Sequence, residues 1–131
     1  MPNNPSENDI SKIIVDVAYK VHVQYGPGLF ESVYEEIMCY ELIKRSLNVK
    51  CQCPVPLIHE GIKFEAGFRA DIIAEDLVLI ELKSIEALAP VHYKQVQTYL
   101  KLTGLKLGLL INFNVALIKD GIHRIANKMD S

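Results

Sequence analysis

The sequence predicts an α/β sandwich with a mixed central sheet flanked by helices. Apolar residues recur at helical spacing over two early segments and then give way to short strand-like runs. One run, Val78, Leu79, Ile80 and Leu82, is apolar at nearly every position, as a central strand covered on both faces requires. A proline-initiated helical segment separates it from a second buried-type run at 107–113, which gives a β-α-β crossover with parallel neighbours.

The elements follow in order. A helix is expected over 9–25 from the spacing of Ile10, Ile13, Ile14, Val17 and Val21, with Ser6 or Asn8 as its cap and Gly26-Pro27-Gly28 as its stop. A second helix covers 30–46, with Val33, Ile37 and Tyr40 as its apolar stripe, Glu35, Glu36, Lys44 and Arg45 outward, and Asn48 closing it. Val55, Leu57 and Ile58 form a short extended run before a Glu60-Gly61 turn. Strands follow over 63–74 and 78–83. Pro90 opens the third helix, which stops near Thr103-Gly104. After the 107–113 strand, residues 115–119 and 122–125 read as a terminal hairpin, because Asp120-Gly121 favours a type I′ turn.

With 131 residues and 50% hydrophobic content, the chain suits one globular domain over 9–131, preceded by a loose polar tail over 1–8. No apolar run reaches the length of a membrane span, and the start does not read as a signal peptide. Cys39, Cys51 and Cys53 make an odd count without framework spacing, which points to reduced thiols and a cytoplasmic location. A net charge of −2 excludes a strongly basic nucleic-acid binder. Lys44, Arg45, Lys50, Lys101, Lys106, Arg124 and Lys128 either line one rim or serve solubility.

The most informative spacing is Asp71 ten residues before Glu81-Leu82-Lys83, with a hairpin between. Strand side chains alternate, so Glu81 and Lys83 share a face while Leu82 points to the opposite layer. With Asp71 on the partner strand, two carboxylates and an ammonium converge. Such a set either holds a hard cation such as Mg²⁺ or is an ordinary ion-paired surface. A two-residue Glu75-Asp76 turn would place Asp71 opposite Ile80 and facing away from Glu81. A shared ion therefore demands an odd loop, such as Glu75-Asp76-Leu77, or a bulge near Asp71.

Other candidates are weaker alone. Glu31 begins the second helix and shares a face with Tyr34. A carboxylate there gains from the helix dipole whether or not it also serves a metal site. Gln95 and Tyr99 lie at i and i+4 on the third helix. They form either a polar helix face or a pair in which Gln95 orients a water or phosphate oxygen and Tyr99 bonds backbone. His22 and His92 lack paired spacing.

Gly28-Leu29-Phe30-Glu31-Ser32-Val33-Tyr34 matches the pattern that names the GxxExxY proteins. The chain resembles that family from about Ile10 to Ile125, including 67–71 (Gly-Phe-Arg-Ala-Asp), 81–83, 90–92, 99–104 and 109–113. The family is placed in the PD-(D/E)XK nuclease-like superfamily, so the resemblance implies a restriction-endonuclease-like fold. It implies that Asp71 and Glu81 bind metal, together with the Leu82 carbonyl and Glu31, and that Lys83 is the catalytic lysine. Gln95 corresponds to the glutamine after the catalytic strand, and Tyr34, Tyr99 and Arg69 support the site. Ala70 stands where a proline often precedes the aspartate. The implied activity is a Mg²⁺-dependent nuclease, with Mn²⁺ as substitute, acting on nucleic acid and on DNA foremost. The expected partners are nucleic acid and, beside it, a second copy of the chain or another protein, with no membrane. The alternative is a noncatalytic binding module or an accessory subunit of a nucleic-acid-processing assembly.

Overall fold

The computed structural model describes residues 4–65 and 67–128. Helix α1 (Glu7–Tyr25) starts with a capping box: Asp9 N–H donates to Ser6 Oγ at 3.2 Å, and Ser6 N–H donates to Asp9 Oδ2 at 2.9 Å. The helix therefore includes Glu7 and Asn8, which had been expected in the tail. Helix α2 (Glu31–Lys44) buries Tyr34, Met38 and Leu42 at i, i+4 and i+8, and leaves Tyr40 and Val33 toward solvent. Ile37 of the expected stripe packs partly buried at the edge of this core, and the buried stripe is displaced from the expected one by one to two residues.

The strands are β1 (Val49–Pro54), β2 (Leu57–His59), β3 (Ile62–Phe64), β4 (Arg69–Ala74), β5 (Val78–Lys83), β6 (Leu107–Asn112) and β7 (Ile122–Ala126). Helix α3 (Pro90–Thr103) lies between β5 and β6, with Pro90 in its first turn and Gly104 in the left-handed conformation as its stop. A five-stranded sheet runs β1-β4-β5-β6-β7; β5 and β6 are parallel and the other pairs antiparallel. Strand β5 is central, and its first five residues are buried, as its apolar run required. Helices α1 and α2 cover one face with Ile72, Ile80, Leu82 and Ile111, while α3 covers the other with Ile73, Leu79 and Leu110.

Three strand expectations are corrected. Strand β1 carries alternating polar residues and was not anticipated; it forms because β4 offers it a long antiparallel edge. The 63–74 strand is broken, since β2 and β3 form a separate, exposed two-stranded hairpin. The terminal hairpin is absent: residues 118–120 form a single 3₁₀ turn and β7 pairs with β6. Gly121 is right-handed (φ −100°), so it supplies no type I′ turn. It is needed for space, because a Cβ there would stand 2.1 Å from the Asn112 carbonyl oxygen.

Candidate active site

The β4–β5 register decides the site. Ile72↔Ile80, Ile73↔Leu79 and Ala74↔Val78 leave 75–77 as a three-residue loop, the odd length that a shared site demands. Glu75 and Asp76 take positive φ there (54° and 51°), and Glu75 N–H and Oε2 are tied to the backbone of Asn48. Beyond Ile72↔Ile80 the two strands are joined by side chains. Leu82 N–H donates to Asp71 Oδ2 at 2.8 Å, and Asp71 N–H donates to Glu81 Oε1 at 3.1 Å. Where two strands part, their backbone donors need new partners, and the two carboxylates supply them.

Alternation of faces breaks at this point. Ile72 belongs to the α1–α2 core, yet Ala70, two residues away, belongs to the α3 core. In β1, Cys51 is disulfide-bonded to Cys39 of α2, whereas Cys53 packs toward the α3 side. The expectation of three reduced thiols is therefore corrected for Cys39 and Cys51, which the fold brings together across the α2–β1 seam; Cys53 is free. Asp71 sits at the reversal and is open to groups from both helical layers.

The electrostatics fit a buried acidic pair. Glu81 is 3% exposed; burial, and then the Asp71 charge, push its pKa up to about 8, with Lys83 opposing. Burial raises Asp71 as well; hydrogen bonds from Leu82 and Glu81 and the Lys83 charge oppose this, and Glu31 adds to it. Lys83 is half-buried and makes no ion pair with these carboxylates, since none of the ion pairs among the described residues includes it. On the α3 side, Gln95 Nε2 donates to the Tyr99 hydroxyl at 3.2 Å. Burial and the Glu81 charge raise the Tyr99 pKa. Gln95 thus orients Tyr99 and Tyr99 faces the carboxylates. Arg69 is exposed, and its Nη1 donates to the Gln52 carbonyl at 3.3 Å.

The fold also accounts for the Gly-x-x-Glu-x-x-Tyr spacing. Tyr34 is fully buried and stacks on Phe113 at 4.3 Å. Its hydroxyl donates to the Gly26 carbonyl at 2.5 Å and accepts from Leu29 N–H at 3.2 Å. Gly28 makes that turn with φ 109°, which side chains disfavour. Ser84, just past Lys83, donates to the Leu29 carbonyl at 2.7 Å. The result fixes the first turn of α2, and Glu31 with it, beside the end of β5. Asn112 does the same for the following loop, bonding Ile85 N–H (3.1 Å) and O (3.0 Å) while 3% exposed. His92 Nδ1 accepts from Ala89 N–H at 2.8 Å and holds the start of α3.

Asp71, Glu81, Lys83, Glu31, Gln95 and Tyr99 are thus brought to one end of the sheet, while Tyr34 is a buried support. Among the described residues no three His, Cys, Asp or Glu side chains are placed to hold a metal ion. The third carboxylate expected of Glu31 acts on the pair through its charge without joining it. The residues sequence reasoning missed are Asn112, Gln52 and Glu35. Glu35 was read as outward, although it stands at i+4 from Glu31, a spacing that shares a face.

A five-stranded mixed sheet between helical layers, with an acidic pair where two strands part, defines a restriction-endonuclease-like architecture. The family model of the PD-(D/E)XK nuclease superfamily matches residues 8–125, and the chain belongs to that superfamily. A solved structure titled "Crystal structure of SSO0001" is similar at 23% identity and a TM-score of 0.48, over 89% of this chain and 67% of that one. No curated protein matches the sequence. Among the described residues no helix is long and apolar enough to cross a membrane.

Proposed function

We propose that this chain is a GxxExxY-type nuclease, a divalent-metal-dependent phosphodiesterase that hydrolyses nucleic acid, DNA foremost. The observation that carries the reading is the contact between Asp71 and Glu81 at the parting of β4 and β5, with Lys83 and Glu31 in electrostatic reach. The donor set fits a hard cation: Asp71, Glu81, the Leu82 carbonyl and Glu31 offer only oxygen, which suits Mg²⁺ with Mn²⁺ as substitute. A buried carboxylate pair that must otherwise keep a proton is a place where a cation is favoured. Held by Asp71, Glu81, the Leu82 carbonyl and Glu31, such an ion would supply Lewis acidity for activating water and offsetting phosphate charge.

The chain's own groups do the rest. Lys83 shares the Glu81 face of β5, so its ammonium orients the attacking water and offsets charge on the phosphate. Gln95 and Tyr99 close the α3 side and fix the direction from which a phosphate oxygen approaches. Ser84 and Tyr34 keep Glu31 in place.

The test pairs cleavage of single-stranded, duplex and branched DNA with metal-dependent melting. Lys83→Met should cut about 10²–10⁴-fold more slowly while its melting temperature still rises with Mg²⁺ or Mn²⁺. Asp71→Asn should lose both cleavage and the metal response. A wild type that binds metal but cuts no member of the panel would refute the stand-alone nuclease. The noncatalytic module or accessory subunit would then be the account.

A further inference from the structure

Gln52 adopts φ +52°, a left-handed conformation that an L-residue inside a strand rarely takes. In β1 it lies between Cys51, paired with Ile72, and Cys53, paired with Ala70, and so stands across from Asp71. Opposed residues of an antiparallel pair share a face. A regular Gln52 would therefore lay its side chain over Asp71. Instead its Nε2 donates to Glu35 Oε1 of α2 at 2.6 Å, one helical turn from Cys39 and its bond to Cys51. The Gln52 carbonyl, turned the other way, receives Arg69 Nη1 at 3.3 Å. Glu35 is close enough to the site for the Asp71 charge to act on it, behind the effects of burial and the Gln52 bond.

We propose that Glu35 is a positioning residue of the carboxylate site: through Gln52 it holds β1 in the reversed conformation that keeps the Gln52 side chain off Asp71 and leaves Asp71 turned to Glu81. The strand reversal and the left-handed Gln52 are one feature, and Glu35 is the side chain outside the sheet that grips it. Without the grip, Gln52 relaxes to an extended conformation, its side chain returns to the Asp71 face, and the two carboxylate–amide bonds loosen. The catalytic consequence rests on the nuclease reading; the positioning itself does not.

The experiment uses the full chain with Glu35→Ala, Glu35→Gln and the double variant Glu35→Ala/Gln52→Gly. Two readouts are taken: hydrogen exchange of the Asp71 and Leu82 amides, which the two carboxylates bond, and Mn²⁺-dependent DNA cleavage resolved into kcat and KM. Glu35→Ala should stay folded by circular dichroism, exchange both amides about 10-fold faster, and lose roughly 10²-fold in kcat with KM nearly unchanged, the scale of a small misplacement of reacting groups. Glu35→Gln, which keeps an oxygen acceptor for Gln52, should sit near wild type. Gln52→Gly in the Glu35→Ala background should recover most of both losses, because glycine takes positive φ freely and has no side chain to cover Asp71. Unchanged exchange in Glu35→Ala, or no recovery with glycine, overturns the proposal. A wild type that cuts no DNA removes the nuclease reading, while the exchange rates still decide the role of Glu35.

Discussion

Without metal, this protein should lose stability as the pH rises, and Glu81 should be the cause. Burial and the adjoining Asp71 charge raise its folded-state pKa to about 8 from an ordinary 4.5. The groups facing it are Asp71, Lys83, Glu31 and, from α3, Tyr99. A folded-state pKa above the unfolded value means that the folded chain holds the proton more tightly. The resulting stabilisation is whole below pH 4.5 and is lost as the pH climbs through about 8. One proton corresponds to ~1.4 kcal/mol per pH unit, so this interval sets a ceiling of about 5 kcal/mol. Urea unfolding in EDTA, followed by circular dichroism from about pH 5 to about pH 8, reads the change directly. Glu81→Gln cannot ionise, so the stability of wild type relative to this variant should fall by about 2 kcal/mol or more over the range, within that ceiling. Saturating Mg²⁺ should flatten the wild-type slope, since a cation takes the place of the proton. Wild-type and Glu81→Gln curves that stay parallel to within ~0.5 kcal/mol would refute the buried, proton-sharing pair.

Two structural predictions follow. Tyr34→Phe keeps the stack on Phe113 but removes the hydroxyl that bonds Gly26 and Leu29, and should cost about 2 kcal/mol in urea unfolding; a loss under ~0.5 kcal/mol would dismiss the hydroxyl as the fastener of that turn. Gly121→Ala presses a methyl against the Asn112 carbonyl and should cost about 1–3 kcal/mol, and a thermal melt matching wild type would show that the 113–121 loop yields freely.

The sequence carried those parts of the fold whose causes lie within a few residues. Pro90 and Gly104 mark the ends of α3 through their own backbone chemistry, and of the two caps offered for α1, Ser6 or Asn8, the Ser6 hydroxyl is the one used. The nearly continuous apolar run of β5 specified a central strand. The parity of the Asp71–Glu81 spacing called for an odd loop or a bulge near Asp71, and the register supplies the odd loop, 75–77. The Gly28–Tyr34 spacing was visible, but the hydroxyl bonds that give it meaning reach Gly26 and Leu29 only in the folded chain. What escaped the sequence depends on partners distant in the chain. Strand β1 is polar and gains its order from β4. Asp120-Gly121 is a strong turn signal locally, yet the close approach of Asn112 sets its conformation. Cys39 meets Cys51, and Glu35 meets Gln52, only because α2 packs beside β1. Local signals fix where an element starts, stops and turns its apolar face; which strands pair, and which polar side chains then meet at their parting, is settled by packing across the whole chain.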